Sequence, residues 1–132
     1  MIDILNQVFD AVYPFIEPLV PNGGFVSEFV PKPAQLPHVY LDEIENAPDA
    51  RTVDSGSNEW SSIVSYESNI YARSKSECRA IQAAMDRAMV ETLGFVKVQS
   101  QSVPNLADRS IHRITSRYRG GVTQVGDLYK PR

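Results

Sequence analysis

The segment WSSIVSYESNIYA, residues 60–72, decides the fold. Val64, Tyr66, Ile70 and Ala72 alternate with Ser65, Glu67 and Asn69, a period of two that separates an apolar face from a polar one along a strand. The period then changes at once. In SKSECRAIQAAMDRAMVETLG, residues 74–94, Ile81, Met85 and Met89 recur every four residues, flanked by Cys78, Ala84, Ala88 and Leu93. That is the apolar stripe of a helix. Ser74 and Glu77 have the capping-box spacing that satisfies N-terminal amides, and Gly94 stands where helices close with a left-handed residue.

Upstream of this pair, Ile2, Leu5, Val8, Phe9, Val12 and Ile16 recur at steps of three or four and predict a first helix. Pro14 is expected to end or kink it, because proline lacks an N–H and disfavours helix in the residue before it. Pro14, Pro18, Pro21, Pro31, Pro33 and Pro37, with Gly23 and Gly24, make the next stretch extended and turn-rich. It holds a short predicted strand over 25–30, and a second strand is predicted over 38–44. Residues 46–59 are polar, with Pro48, Asp54, Gly56 and Asn58, and read as a long hairpin loop.

Downstream, strands are predicted over 95–103 and 111–122, separated by a turn at Pro104 and Asn105. From Gly120 and Gly121 onward there is no core pattern, so the C-terminal residues read as an arm. The expected fold is α+β, one domain over 1–122 and an arm over 123–132. Its order is α-β-β-β-α-β-β, an antiparallel or mixed sheet flanked by two helices.

A chain of 132 residues, 42% hydrophobic and 22% charged, has the size and composition of one ordinary globular domain. No apolar run approaches the ~20 residues that span a bilayer, so no membrane is expected. The start lacks the positive segment of a secretory signal, and the single cysteine, Cys78, excludes an internal disulfide. Together these fit a reducing compartment.

Charge is unevenly distributed along the chain. Up to residue 72 there are eleven acidic and two basic residues, a net of −9; from Arg73 on, eleven basic and five acidic, a net of +6. Such asymmetry points to nucleic acid or an acidic partner, or equally to a subunit negative on one side and positive on the other that binds its own copies head to tail, the contact that closes into rings. The alternative is that the two halves interleave in the fold and cancel locally.

No catalytic constellation is expected, so the chain reads as something other than an enzyme. His38 and His112 lie in predicted strands, and no Cys/His pair has zinc spacing. Cys78 falls on the apolar side of the helix, as an inert core thiol does. Asp42, Glu43 and Glu45 crowd one strand, but alternation points Asp42 away from the other two, and nothing completes a metal site. No glycine-rich phosphate loop is present, and no cofactor is expected.

Arg113, Arg117 and Arg119 carry more information. Their spacings of four and two place them on one face of the last strand, with Ile114 and Tyr118 on the other. No aromatic residue interleaves with them, so stacking on single-stranded bases is not expected. They are candidates for a subunit contact, and solvated surface arginines are the plain alternative.

Taken in order, residues 60–72 (WSSIVSYESNIYA), 92–95 (TLGF), 103–105 (VPN) and 111–118 (IHRITSRY) resemble small tail proteins of siphophages and related prophages of Gram-positive bacteria. Residues 28–33 (EFVPKP) and 36–40 (LPHVY) fit the same pattern, so the resemblance runs from about residue 25 to 122. The family is similar to tail terminators. The resemblance implies a structural virion protein of the tail and neck, assembled in the host cytoplasm. It would form a hexameric ring on the tail tube protein, stop tube polymerisation and offer a surface to the head-tail connector.

Genomic DNA would pass through the lumen unbound. An acidic lumen lets it slide, and Asp49, Asp54 and Glu59 of the long loop are the lumen candidates. Two alternatives stay open: a head-completion or stopper ring of the neck, and a DNA-binding protein using the three arginines.

Overall fold

The computed structural model describes residues 3–20, 24–27, 36–48, 61–104, 111–123 and 128–129. The residue 60–72 pattern becomes β3 (Ser61–Ala72), and it is the spine of the sheet. It pairs antiparallel with β5 (His112–Thr123), from Ser61 opposite Thr123 to Ala72 opposite His112, without a slip. On its other side β3 pairs antiparallel with β2 (His38–Pro48). The outer strands are β1 (Phe25–Val26), parallel to β2, and β4 (Val96–Pro104), antiparallel to β5. The sheet order is therefore β1-β2-β3-β5-β4, and the α-β-β-β-α-β-β order and α+β class hold.

Both helices pack on the same face of this sheet. Helix α1 (Leu5–Ile16) buries Val8, Val12 and Ile16, and α2 (Lys75–Asp86) buries Cys78, Ile81, Ala84 and Met85. These meet Val39 and Leu41 of β2, Val64, Tyr66 and Ile70 of β3, and Tyr118 and Val122 of β5 in one core. The Ser74 hydroxyl accepts the Glu77 N–H at 3.1 Å, so the expected N-cap is in place. Beyond α2 the helix continues as a π-helical turn, Arg87–Thr92, and closes at Gly94, whose φ is 77°. The wider turn bonds the Leu93 N–H to the Ala88 carbonyl at 3.1 Å, and the left-handed Gly94 then lets the Phe95 N–H reach back to the Met89 carbonyl at 2.9 Å.

Phe95 is then set into the core against Gly120. A Cβ at Gly120 would lie 2.8 Å from the Phe95 ring, and the ring is itself held by Tyr66 at a centroid distance of 5.7 Å. The absent side chain at residue 120 therefore makes room for the aromatic one at 95.

Four sequence expectations are corrected. Helix α1 runs past Pro14 to Ile16, because Pro14 sits on the exposed side, where water satisfies the carbonyl it leaves unbonded. Asn46, Ala47 and Pro48, expected in the loop over 46–59, instead extend β2 opposite Val64, Ile63 and Ser62, and the rest of that expected loop lies outside the described residues. Proline is tolerated there because it ends the strand. The arm is not free of the sheet, since Leu128–Tyr129 forms β6 and pairs with Val122 and Gly121, with Leu128 packed on the core.

The fourth correction concerns the acids of β2. A bulge between Glu43 and Glu45 shifts the register, so Glu45 lies opposite Ser65 and Asp42 opposite Glu67. Asp42 and Glu45 thus share a face, and Glu43 stands on the helix side opposite Tyr66.

Gly120→Ala forces the methyl into the buried Phe95 ring and is expected to cost about 1–3 kcal/mol, as overpacking does. Chemical denaturation measures this, and an unchanged midpoint would show that the ring yields freely.

Candidate functional site

Among the described residues, the helix-free face of the sheet carries a band of polar residues from β2, β3 and β5. Alternation puts Tyr40, Asp42 and Glu45 of β2, Ser65, Glu67, Asn69 and Tyr71 of β3, and Arg113, Thr115, Arg117 and Arg119 of β5 together there. The three arginines expected to share a face do so, with Tyr118 buried on the other.

Two of the three are tethered. Arg113 donates from Nε and Nη2 to Asn69 Oδ1 at 3.2 and 2.7 Å and lies over the Tyr71 ring at 5.4 Å. Thr115 donates to the same Asn69 oxygen at 2.8 Å, and Asn69 is fully buried beneath them. The Arg117 Nε meets Glu67 Oε2 at 3.1 Å. Arg119 is exposed and has no hydrogen-bond or ion-pair partner among the described residues. The acidic first half and basic second half therefore interleave at Glu67 and Arg117, while Arg119 keeps a charge to offer.

Asp49, Asp54 and Glu59, the candidates for a lumen, lie outside the described residues. His38 is buried, 7% exposed, near Tyr71, and burial lowers its pKa; its Nε2 has no partner among the described residues. Cys78 donates its thiol to the Ile70 and His112 carbonyls at 3.6 and 3.5 Å, and burial pushes its pKa up to about 11. Among the described residues no three metal-ligating side chains come together.

A buried polar network was missed from sequence. Gln82 of α2 donates to Tyr118 Oη at 2.9 Å and to Asp86 Oδ1 at 3.0 Å, and accepts from Ser116 Oγ at 2.9 Å. Tyr118 in turn donates to Asp86 Oδ1 at 2.8 Å, and Lys97 reaches Asp86 Oδ2 at 3.0 Å. Burial pushes the Tyr118 pKa upward, so its hydroxyl stays a donor. The network floors an open groove between α2 and β4 lined by Arg79, Asp86, Ser100 and Gln101. It locks helix to sheet. The available signal was Gln82 itself, a polar residue one turn after Cys78 on the buried stripe.

No family model matches the chain, and no curated protein is significantly similar to it. Among solved structures, a chain of the virion of a native gene transfer agent particle has the same fold. The TM-score is 0.59 at 17% identity, over 84% of this chain and 90% of that one.

Two measurements probe these contacts. Tyr118→Phe strips a donor and an acceptor from the network and is expected to cost about 1–2 kcal/mol in chemical denaturation. A loss within error would mean that Gln82 and Asp86 satisfy each other without it.

Glu43 supplies a pH test. Burial raises its pKa above the ordinary 4.5, against opposing hydrogen bonds from Tyr66 and Asn46. The folded chain thus holds this proton to higher pH than the unfolded chain does. The associated stability is complete below pH 4.5 and is lost as pH rises through the folded value. Glu43→Gln is expected to be more stable than the parent near neutrality and to converge with it in acid. Parallel stability curves across that range would refute the assignment.

Proposed function

We propose that this chain is a structural virion protein, a tail terminator that caps the tail tube as a ring. The observation that carries the reading is the shared fold with a chain of a gene transfer agent virion, over most of both chains. The ordered resemblance of residues 25–122 to siphophage tail proteins similar to tail terminators points the same way. The helix-free face suits the wall of a DNA channel. Binding of DNA gains from counterion release only where cations are free to meet phosphate. Here Arg113 is held by Asn69 and Tyr71, and Arg117 by Glu67. A wall most of whose cations are engaged, Arg119 being the exception, offers phosphate little to grip and lets a polyanion slide.

The mechanism is occlusion. One side of the ring copies the docking surface of a tube ring, and the other lacks what recruits a further layer. Tail growth stops there, and the exposed side meets the head connector. Contacts between neighbours are heterologous and close by rotation, hexameric by the resemblance.

Electron microscopy of particles made without this gene tests the proposal. Tails of uncontrolled length beside tailless heads are the expected result. Free tails of normal length beside unfinished heads would move the protein to the head side of the neck, and complete infectious virions would overturn the structural reading.

A further inference from the structure

The two edges of the sheet differ in a way that a lone subunit does not need. On β4 the ladder slips between Lys97 and Gln99, leaving Val98 unpaired and 60% exposed, with Val96 beside it 43% exposed. On β2 it slips between Glu43 and Glu45, leaving Ile44 unpaired and 46% exposed. Edge bulges ordinarily discourage pairing, and edges are ordinarily guarded by charge. Each bulge here instead presents an aliphatic side chain to water.

The charges around these side chains are opposite. Ile44 is flanked by Asp42, Glu43 and Glu45, while the β4 side carries Lys97 and, one strand in, the unpartnered Arg119 opposite Val96. Among the described residues, β1 occupies the β2 edge only at Val39 and Tyr40, which leaves the acidic stretch clear of it.

Strand direction completes the argument. β2, β3, β5 and β4 alternate in direction across the sheet. A rotation about an axis along the strands preserves each direction, so the β4 edge of one copy meets the β2 edge of the next antiparallel, the arrangement with perpendicular hydrogen bonds.

We propose that β4 of each subunit pairs with β2 of a neighbouring copy of this chain, with Val96 and Val98 against Ile44 and Arg119 toward Glu45. The inference rests on the ring reading above and names the seam of that ring. With strands ~4.8 Å apart, Arg119 stands about 10 Å from the neighbour's β2, within the joint reach of arginine and glutamate side chains. Both lie on the helix-free face, so the seam joins successive sheets into one continuous wall. The contact is heterologous, since each copy gives one edge and receives the other.

Thiol cross-linking with a short bis-maleimide tests it. The exposed sites are replaced as Ile44→Cys and Val98→Cys; the buried Cys78 stays as it is, and the parent chain is the control for its silence. The chain carrying both substitutions is expected to give a covalent ladder, an equimolar mixture of the two single variants one dimer band, and each single variant alone no product. As a second readout, Glu45→Lys is expected to abolish assembly seen by native mass spectrometry, and adding Arg119→Glu to restore it.

Oligomers of the parent chain without a ladder would overturn the seam and leave the ring intact. Absence of both would also overturn the seam, while the gene-deletion phenotype decides the ring separately. A ladder with normal tail length in the deletion would keep the seam and remove the terminator role.

Discussion

The antiparallel ladder between β3 and β5 is the constraint on which the rest of the molecule depends. Twelve residues of each strand, Ser61–Ala72 and His112–Thr123, face one another with no insertion on either side. Side chains alternate strictly along such a ladder, so a slip of one residue would exchange every core position with a surface one. Because none occurs, Val64, Tyr66, Ile70, Tyr118 and Val122 all turn to the helices, and Glu67, Asn69, Arg113 and Arg117 all turn away. The tether of Arg117 by Glu67 is a product of this register, since the two are direct cross-strand partners.

The register also explains how the chain can be tightly closed on one side and open on the other. Gly120 and Phe95 meet only because β5 carries residue 120 to the place where the π-helical turn delivers residue 95. The Gln82, Ser116, Tyr118 and Asp86 network then fixes α2 over the same strand. Half of the sheet is thereby covered permanently. Among the described residues the polar face has no helix over it, and Asn69 is buried there beneath Arg113 and Thr115.

What was legible in the sequence was legible for the same reason. β3 and α2 each have one apolar face, so their periods of two and of nearly four are written into composition, and the Ser74 cap and Gly94 mark the helix ends. The arginine stripe followed from spacing alone. The bulges could not be read, because Asp42, Glu43, Ile44 and Glu45 form a strand-like run with no glycine to signal an extra residue, and the inserted residue reverses the facing of Glu45. Pro48 and Pro14 misled in a common way. Proline stops an element only where its missing N–H or its ring cannot be accommodated: Pro48 stands at a strand end, and Pro14 lies on the exposed side of the last helical turn, where the carbonyl it leaves unbonded faces water. β6 escaped notice because two residues are too few to show a period.

The bulges link the fold to the proposed role. In an isolated sheet a bulge at an edge bends the strand away from strangers, and its exposed residue is best polar. In a closed wall made of several sheets, each seam must take up curvature, and bulges at barrel rims do this while re-aiming a side chain. Ile44 and Val98 suit the second setting: they are apolar, they stand at opposite edges, and their neighbours carry opposite charge. Closure would also remove the exposed edges altogether, which is the most complete defence a sheet has against indiscriminate pairing. In the proposed ring the same feature, a liability in the free subunit, would become an asset and would favour assembly once neighbours are held together.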